Sequence, residues 1–301
     1  MQRSINPFTL VLVLMFSVAL AGCSGVGTRS ASSSGAPEPV DEVPEIKPGI
    51  LQGYLSDEEQ LDSREFVRPA PEMTSALQSL DTAWSEKMVK LRGSPRWEVA
   101  IRDADLAFPA AADTFACSLG FTVTEEDTPA LYMLLRRTLT DIGLATYPAK
   151  TSYQRQRPFM INGASICTPE DEEALREDGS YPSGHTAVGW GWALILSELA
   201  PDRGEQILAR GRAFGESRTV CNVHWYSDVV AGRLVGAAAV AKLHADPAFG
   251  EALDAARSDI ERVRATGAVA PTDCVTEAKA LGYAPLYAEV LHLEGDLQRV
   301  V

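Results

Sequence analysis

The chain has 301 residues, 46% of them hydrophobic and 23% charged, with a formal net charge of −14. That balance fits one globular core domain with extensions. The acidic excess argues against nucleic acid or an anionic membrane surface as partner.

Residues 1–22 read as an export signal, with Arg3 as the basic n-region and an apolar stretch from Phe8 to Leu20. That stretch is too short for a convincing membrane span. It ends in Leu20-Ala21-Gly22-Cys23, which resembles a bacterial lipobox. The resemblance implies cleavage before Cys23 and acylation of that cysteine, and Ser24 after it points to the outer membrane. Removing Arg3 with the signal takes the charge from −14 to −15. Residues 23–50, rich in Ser, Gly, Pro and acids, read as a flexible tether. The folded domain is expected over 51–268, with a C-terminal extension over 269–301.

Helical patterns dominate the domain. Thr128-Pro129 offers an N-cap and a proline at the first helical position, and Leu131, Leu134, Leu135, Leu139 and Ile142 then share one face. The run containing Ala187, Trp190, Gly191 and Leu194 is apolar almost all round, as a central buried helix should be. Val230, Leu234, Ala237, Ala238 and Ala241 form a small-residue face suited to close helix contact. Strand alternation is scarce, so the fold class expected is all-α, a helical bundle. Four cysteines follow Cys23, namely Cys117, Cys167, Cys221 and Cys274. They form no Cys-x-x-Cys pair, which argues against zinc, and in an exported protein they suggest two disulfides with three possible pairings.

Three segments carry the chemistry. In the first, Lys150 and Arg157-Pro158 stand seven residues apart, a spacing that would put both cations on one helix face. In the second, Pro182-Ser183-Gly184-His185 opens the central helix, where free N–H groups and the positive dipole end favour an anion. The third runs from Ser217-Arg218 through His224 to Asp228. Four residues on a helix would bring the Asp228 carboxylate to the His224 ring, fixing its tautomer. Two arginines, a lysine, a helix start and two histidines suit phosphoryl transfer: cations offset the non-bridging oxygens, one histidine attacks, the other protonates the leaving oxygen. No metal or cofactor is required by this set, and the scattered carboxylates suggest no metal cluster.

Lys-x6-Arg-Pro, Pro-Ser-Gly-His and Ser-Arg-x5-His-x3-Asp together are similar to the tripartite signature of the type 2 phosphatidic acid phosphatase superfamily. That superfamily includes vanadium haloperoxidases and bacterial class A non-specific acid phosphatases. The chain most resembles the last group, over roughly Leu91 to Ile260. The resemblance implies an all-helical phosphatase domain acting on phosphate monoesters without a cofactor. His224 would be the nucleophile, Asp228 its orienting partner and His185 the general acid and then base. Lys150, Arg157, Arg218, Ser183 and the Gly184 N–H would hold the phosphate. Val230 departs from the acidic residue many relatives carry two positions after the orienting aspartate, which bears on substrate preference or surface contacts. Cys167 and Cys221 each lie beside a motif, so a Cys167–Cys221 bridge would pin the cationic segments together, leaving Cys117–Cys274 as the second.

Other prominent residues receive plainer readings. His244 is expected on the surface at a helix end, Trp190 and Trp192 in the core, and Glu170 to Asp178 in a solvated loop bordering the site entrance. Tyr153, Phe159, Tyr181 and Trp225 are candidate walls for the leaving group. The expected protein is a periplasmic, lipid-anchored acid phosphatase touching the membrane only through Cys23, with homo-oligomers left open. The rival readings are a vanadate-dependent haloperoxidase and a non-catalytic phosphate-binding lipoprotein.

Overall fold

The computed structural model describes residues 43–271 and 273–282. The signal, Cys23 and the last part of the C-terminal extension lie outside the described residues. Val43 is buried, and a short hairpin pairs β1 (Glu45–Lys47) with β2 (Ile50–Leu51). Regular structure is thus present before Leu51, inside the stretch expected to be tether. The hairpin is fastened to the helical body because Thr140 donates to the Leu51 carbonyl at 2.6 Å. Just beyond it, Tyr54 and Leu55 donate their backbone N–H groups to Asp141 at 2.9 and 3.1 Å.

The remaining regular structure is helical, as the sequence predicts. In order come α1 (Ala76–Val89), α2 (Pro95–Arg102), α3 (Ala116–Leu119) and α4 (Pro129–Leu144). The site-bearing stretch holds α5 (Tyr147–Tyr153), α6 (Pro158–Asn162), α7 (Glu172–Glu177) and α8 (Gly184–Leu199). Then follow α9 (Gly204–Val220), α10 (Tyr226–Leu243), α11 (Pro247–Ala265) and α12 (Cys274–Ala280).

Helix α8 lies at the centre, packed by α4, α9 and α10. Ala187, Val188, Trp192, Ile195 and Leu196 are buried on several of its sides, which explains a run with little polar character. Trp192 fills the core as expected, whereas Trp190 is half-buried beneath the Arg233 guanidinium. The α4 face of Leu131, Leu134, Leu135, Leu139 and Ile142 is buried throughout. Burial of each such side chain contributes on the order of 1.5–3 kcal/mol. The N-terminus of α4 is capped differently from expectation. Thr128 turns back to Thr124, and Asp259 on α11 accepts from the N–H groups of Ala130 and Leu131 at 2.7 and 3.1 Å.

The expected contact face of α10 is the wrong one. Val230 and Leu234 are about half exposed (49% and 50%), and they line an apolar groove with Leu77, Leu80 and Trp84 of α1. The buried face is one step round the helix: Val229, Gly232, Val235, Gly236, Ala239 and Leu243. Two glycines set that choice. A Cβ on Gly232 would stand 2.5 Å from the Ser183 carbonyl oxygen, and one on Gly236 would stand 2.3 Å from that of Ala187. Backbone therefore meets backbone where α10 crosses the start of α8, bringing two of the three motifs together.

Both disulfides are present in the favoured pairing, Cys167–Cys221 and Cys117–Cys274. The first closes a second apolar cluster of Met88, Trp97, Phe159, Ile166, Val220 and Val223. The second fastens α12 near α2, where Glu277 pairs with Arg210 at 3.3 Å.

Gly236→Ala is expected to destabilise the fold by about 1–3 kcal/mol through overpacking against the α8 backbone. Urea unfolding with an unchanged slope checks this, and an unshifted midpoint would show that the two helices tolerate the extra methyl.

Candidate active site

The first segment does not form the continuous helix that its spacing suggests. Helix α5 stops at Tyr153, Gln154 adopts a left-handed conformation (φ 43°), and Arg157 is an extended residue capping α6. Lys150 and Arg157 still converge, because the turn folds both toward the end of α7. Lys150 Nζ donates to Asp178 Oδ2 at 3.0 Å and to the Gly179 carbonyl at 2.9 Å. Arg157 donates to the same Asp178 oxygen at 3.0 Å, to Leu175 O at 2.8 Å and to Val223 O at 2.9 Å. The acidic run expected as a solvated loop is thus mostly helix, and its last residue reaches into the site.

The second segment behaves as read. Ser183 is the buried N-cap of α8, accepting from Thr186 N–H at 3.3 Å, with Gly184 and His185 in the first turn. The Ser183 N–H donates to the Asp228 carbonyl at 3.1 Å, tying this helix start to the third segment. His185 Nε2 donates to the Ala104 carbonyl at 3.0 Å, which leaves Nδ1 as its second titratable nitrogen.

In the third segment His224 precedes α10 rather than lying on it, so the carboxylate reaches it from the first turn of that helix. Asp228 Oδ2 accepts from His224 Nδ1 at 3.3 Å and from the Trp225 N–H at 2.7 Å. On the other side of the ring, Arg157 Nη1 donates to His224 Nε2 at 3.1 Å. With Nδ1 protonated toward Asp228, Nε2 carries the lone pair, which accepts from Arg157 in the empty site. Arg218, near the end of α9, is buried, and its Nε and Nη1 have no hydrogen-bond partner among the described residues.

These groups share one electrostatic environment. Burial, and then repulsion from Arg157, brings Lys150 down to about 8 and Arg218 down to about 10. Burial also holds both histidines well below the ordinary imidazole value, reinforced chiefly by Arg218 at His185 and by Arg157 at His224. Asp228 is pushed up to about 6 by burial, against the pull of Arg155 and the Trp225 N–H. The cluster holds more positive charge than its carboxylates offset, which is the condition of a site built for an anion.

A second layer lies behind it. Arg155, inside the first segment and given no role by the sequence, is buried and bonds Asp228 Oδ1, Ser227, Gln78 Oε1 and Asp81 Oδ2. Its guanidinium sits between the rings of Tyr181 and Trp225, at 5.9 and 5.5 Å from their centroids. Those two rings therefore pack against the Arg155 side of the Asp228 carboxylate. Phe159 belongs to the second apolar cluster, and Tyr153 stacks edge-on against Tyr181. On the opposite flank, Asp103 accepts from Arg210 and from Ser217, the neighbour of Arg218. Nothing local in the sequence marks Asp81 or Asp103, since Asp81 bonds Ser227 across 146 positions and Asp103 bonds Ser217 across 114. His244, as expected, is exposed at the end of α10, and it pairs with Glu198 at 3.1 Å.

Residues 129–247 match the PAP2 superfamily, a span that contains all three segments. A non-specific acid phosphatase of Providencia stuartii is 42% identical over 212 residues, covering 70% of this chain and 86% of the relative. The chain belongs to the non-specific acid phosphatases. A non-specific acid phosphatase of Salmonella typhimurium is 41% identical over 70% of this chain and 84% of its own. An acid phosphatase of Zymomonas mobilis is 41% identical over 71% and 82%. A non-specific acid phosphatase is a phosphomonoester hydrolase, and a site dominated by buried cations suits that class.

An unpartnered buried guanidinium weakens the empty protein and strengthens the anion-bound one. In Arg218→Met the ligand-free melting temperature should hold or rise, while the stabilisation conferred by phosphate is lost. For wild type that stabilisation is about 2.7 kcal/mol at a hundredfold excess of phosphate over its Kd. Melting curves with and without inorganic phosphate read both effects. A lowered ligand-free melting temperature with the phosphate increment intact would show that Arg218 is structural.

Proposed function

We propose that this acid phosphatase works through a phosphohistidine on His224, with His185 passing the proton. The observation that carries the reading is the His224 ring itself: Nδ1 is held by Asp228 at 3.3 Å, and Nε2 faces the Arg157 cation at 3.1 Å. A neutral imidazole with a fixed tautomer is a competent nucleophile at pH values where a free histidine would be protonated.

The His224 Nε2 lone pair attacks phosphorus, an N–P bond forms, and the bond to the ester oxygen breaks. His185 gives its proton to that oxygen, so the alcohol leaves neutral. His185, now neutral, takes a proton from water; the water oxygen attacks phosphorus, the N–P bond breaks, and phosphate departs from regenerated His224. Lys150, Arg157 and Arg218 hold the non-bridging oxygens throughout, with Ser183 and the Gly184 N–H completing the cradle at the α8 start.

Burial, and then the resident cations led by Arg218, hold His185 well below the ordinary imidazole value in the empty site, which favours its neutral form until an anion binds. A phosphoryl dianion beside it offsets Arg218, Lys150 and Arg157 and shifts it upward. Protons thus favour the reaction on the general-acid side. As pH rises through about 8, Lys150 also loses its charge and the cradle loses a cation. As pH falls through about 6, Asp228 takes a proton and releases the ring of His224. Hydrolysis should therefore peak on the acid side of neutrality.

The cell address we propose is the periplasm, with a lipid on Cys23 holding the protein at the outer membrane. Two disulfides and kinship with bacterial acid phosphatases support export. Substrates are small phosphate monoesters.

Hydrolysis of p-nitrophenyl phosphate should persist in EDTA, be blocked by vanadate, and fall by about 10³-fold or more in His224→Ala. A rate that climbs steadily from about pH 5 to 9 would contradict the assigned proton donor.

A further inference from the structure

Lys150 and Arg157 are buried, with side-chain exposures of 5% and 1%, whereas the carboxylate they share is 39% exposed. One oxygen of Asp178 stands 3.0 Å from both Lys150 Nζ and Arg157 Nη2. A single anionic oxygen bridging two fixed cations is the geometry that a non-bridging phosphoryl oxygen would take. The carboxylate is also dispensable for holding those cations. Lys150 keeps the Gly179 carbonyl, and Arg157 keeps the carbonyls of Leu175, Asp178 and Val223. Arg218 Nε and Nη1 have no such partner among the described residues, so the set divides into two cations that share one carboxylate and a third without one.

We propose that Asp178 is an internal competing anion, whose carboxylate occupies the Lys150–Arg157 half of the site when empty and is displaced by phosphoryl oxygens when substrate binds. This rests on the assignment of Lys150 and Arg157 to the phosphate cradle. Substrate, phosphoenzyme and product all present the same oxygens to these cations. A competitor at that spot weakens the binding of each by a similar factor, which raises KM and speeds release of phosphate. Its place on the segment between α7 and α8, partly in solvent, gives it somewhere to go. Net repulsion between carboxylate and phosphate supplies the differential free energy for the movement.

The test compares Asp178→Asn and Asp178→Ala with wild type at about pH 6, below the value of about 8 that Lys150 has with the Asp178 carboxylate beside it. The readouts are inhibition constants for inorganic phosphate and orthovanadate, and KM and kcat for p-nitrophenyl phosphate. Both variants should tighten phosphate and vanadate by about three- to tenfold, the scale of one partly exposed charge pair. KM should fall in parallel, and raised ionic strength should narrow the gap from wild type. Unchanged or weakened anion binding in both variants would overturn the proposal and make Asp178 a positioning residue for the two cations. Arg157→Ala in the same assays tests the foundation separately. Loss of phosphate binding there supports the cradle assignment, and wild-type binding would overturn that assignment and the proposal together.

Discussion

Three cations buried within one electrostatic neighbourhood are the constraint around which this molecule is arranged. Desolvation and mutual repulsion both oppose that grouping, as the depression of Lys150 and Arg218 shows. Carbonyl groups absorb much of the cost. Gly179, Leu175 and Val223 turn their oxygens toward Lys150 and Arg157 because a turn, a short helix end and the loop before α10 all finish at the same spot. Helix ends leave unpaired carbonyls, and at the end of α7 the protein spends one of them on a cation instead of on water. Arg218 Nε and Nη1 find no such carbonyl among the described residues.

Two buried polar networks keep the cluster from relaxing. Behind His224, Arg155 draws Asp81 and Gln78 from α1 and Ser227 and Asp228 from α10 into one set of charge-assisted bonds. Deleting one member would leave an unpaired charge in the interior, so the set fixes the first turn of α10 and the Asp228 carboxylate with it. Across the site, the end of α2 does a matching job. Asp103 fastens α9 through Arg210 and Ser217, while the next residue, Ala104, accepts from His185. One short loop thereby sets the distance between the arginine of the third segment and the histidine of the second.

The helical class was legible in the sequence because the apolar spacing of α4 and the all-round character of α8 both follow from burial. The motif residues were legible because their chemistry is unusual and their spacing specific. Local conformation was read less well. Seven-residue spacing suggested one helix face for Lys150 and Arg157, yet Gln154 breaks the helix and the side chains meet through tertiary folding. On α10 the eye followed Val230 and Leu234, the larger residues. The glycines at 232 and 236 instead mark the contact, since a face without side chains permits the closest approach. Asp81 and Asp103 were invisible because an acidic residue in a polar stretch has no local pattern to announce a partner far along the chain, and Asp178 was placed only at the border of the site. Arg155 was in plain view, but one more cation in a basic segment reads as solvated surface until the acids around it are placed.

The disulfide Cys167–Cys221 completes this logic. Arg157 lies at the start of α6 and Arg218 near the end of α9, and no helix runs from one to the other. The bridge joins the chain after α6 to Cys221 at the end of α9, over the cluster of Phe159, Val220 and Val223. Asn222, left-handed at φ 62°, then turns the chain toward His224 while its side chain binds Asn162 and the Ala164 carbonyl. The mutual repulsion of Arg157 and Arg218 acts to separate these two segments. A covalent link, an apolar cluster, a pair of asparagines and a backbone bond from the Phe159 N–H to the Asn222 carbonyl at 3.2 Å act against it. The site can therefore carry its excess charge while empty, with its cations already in place.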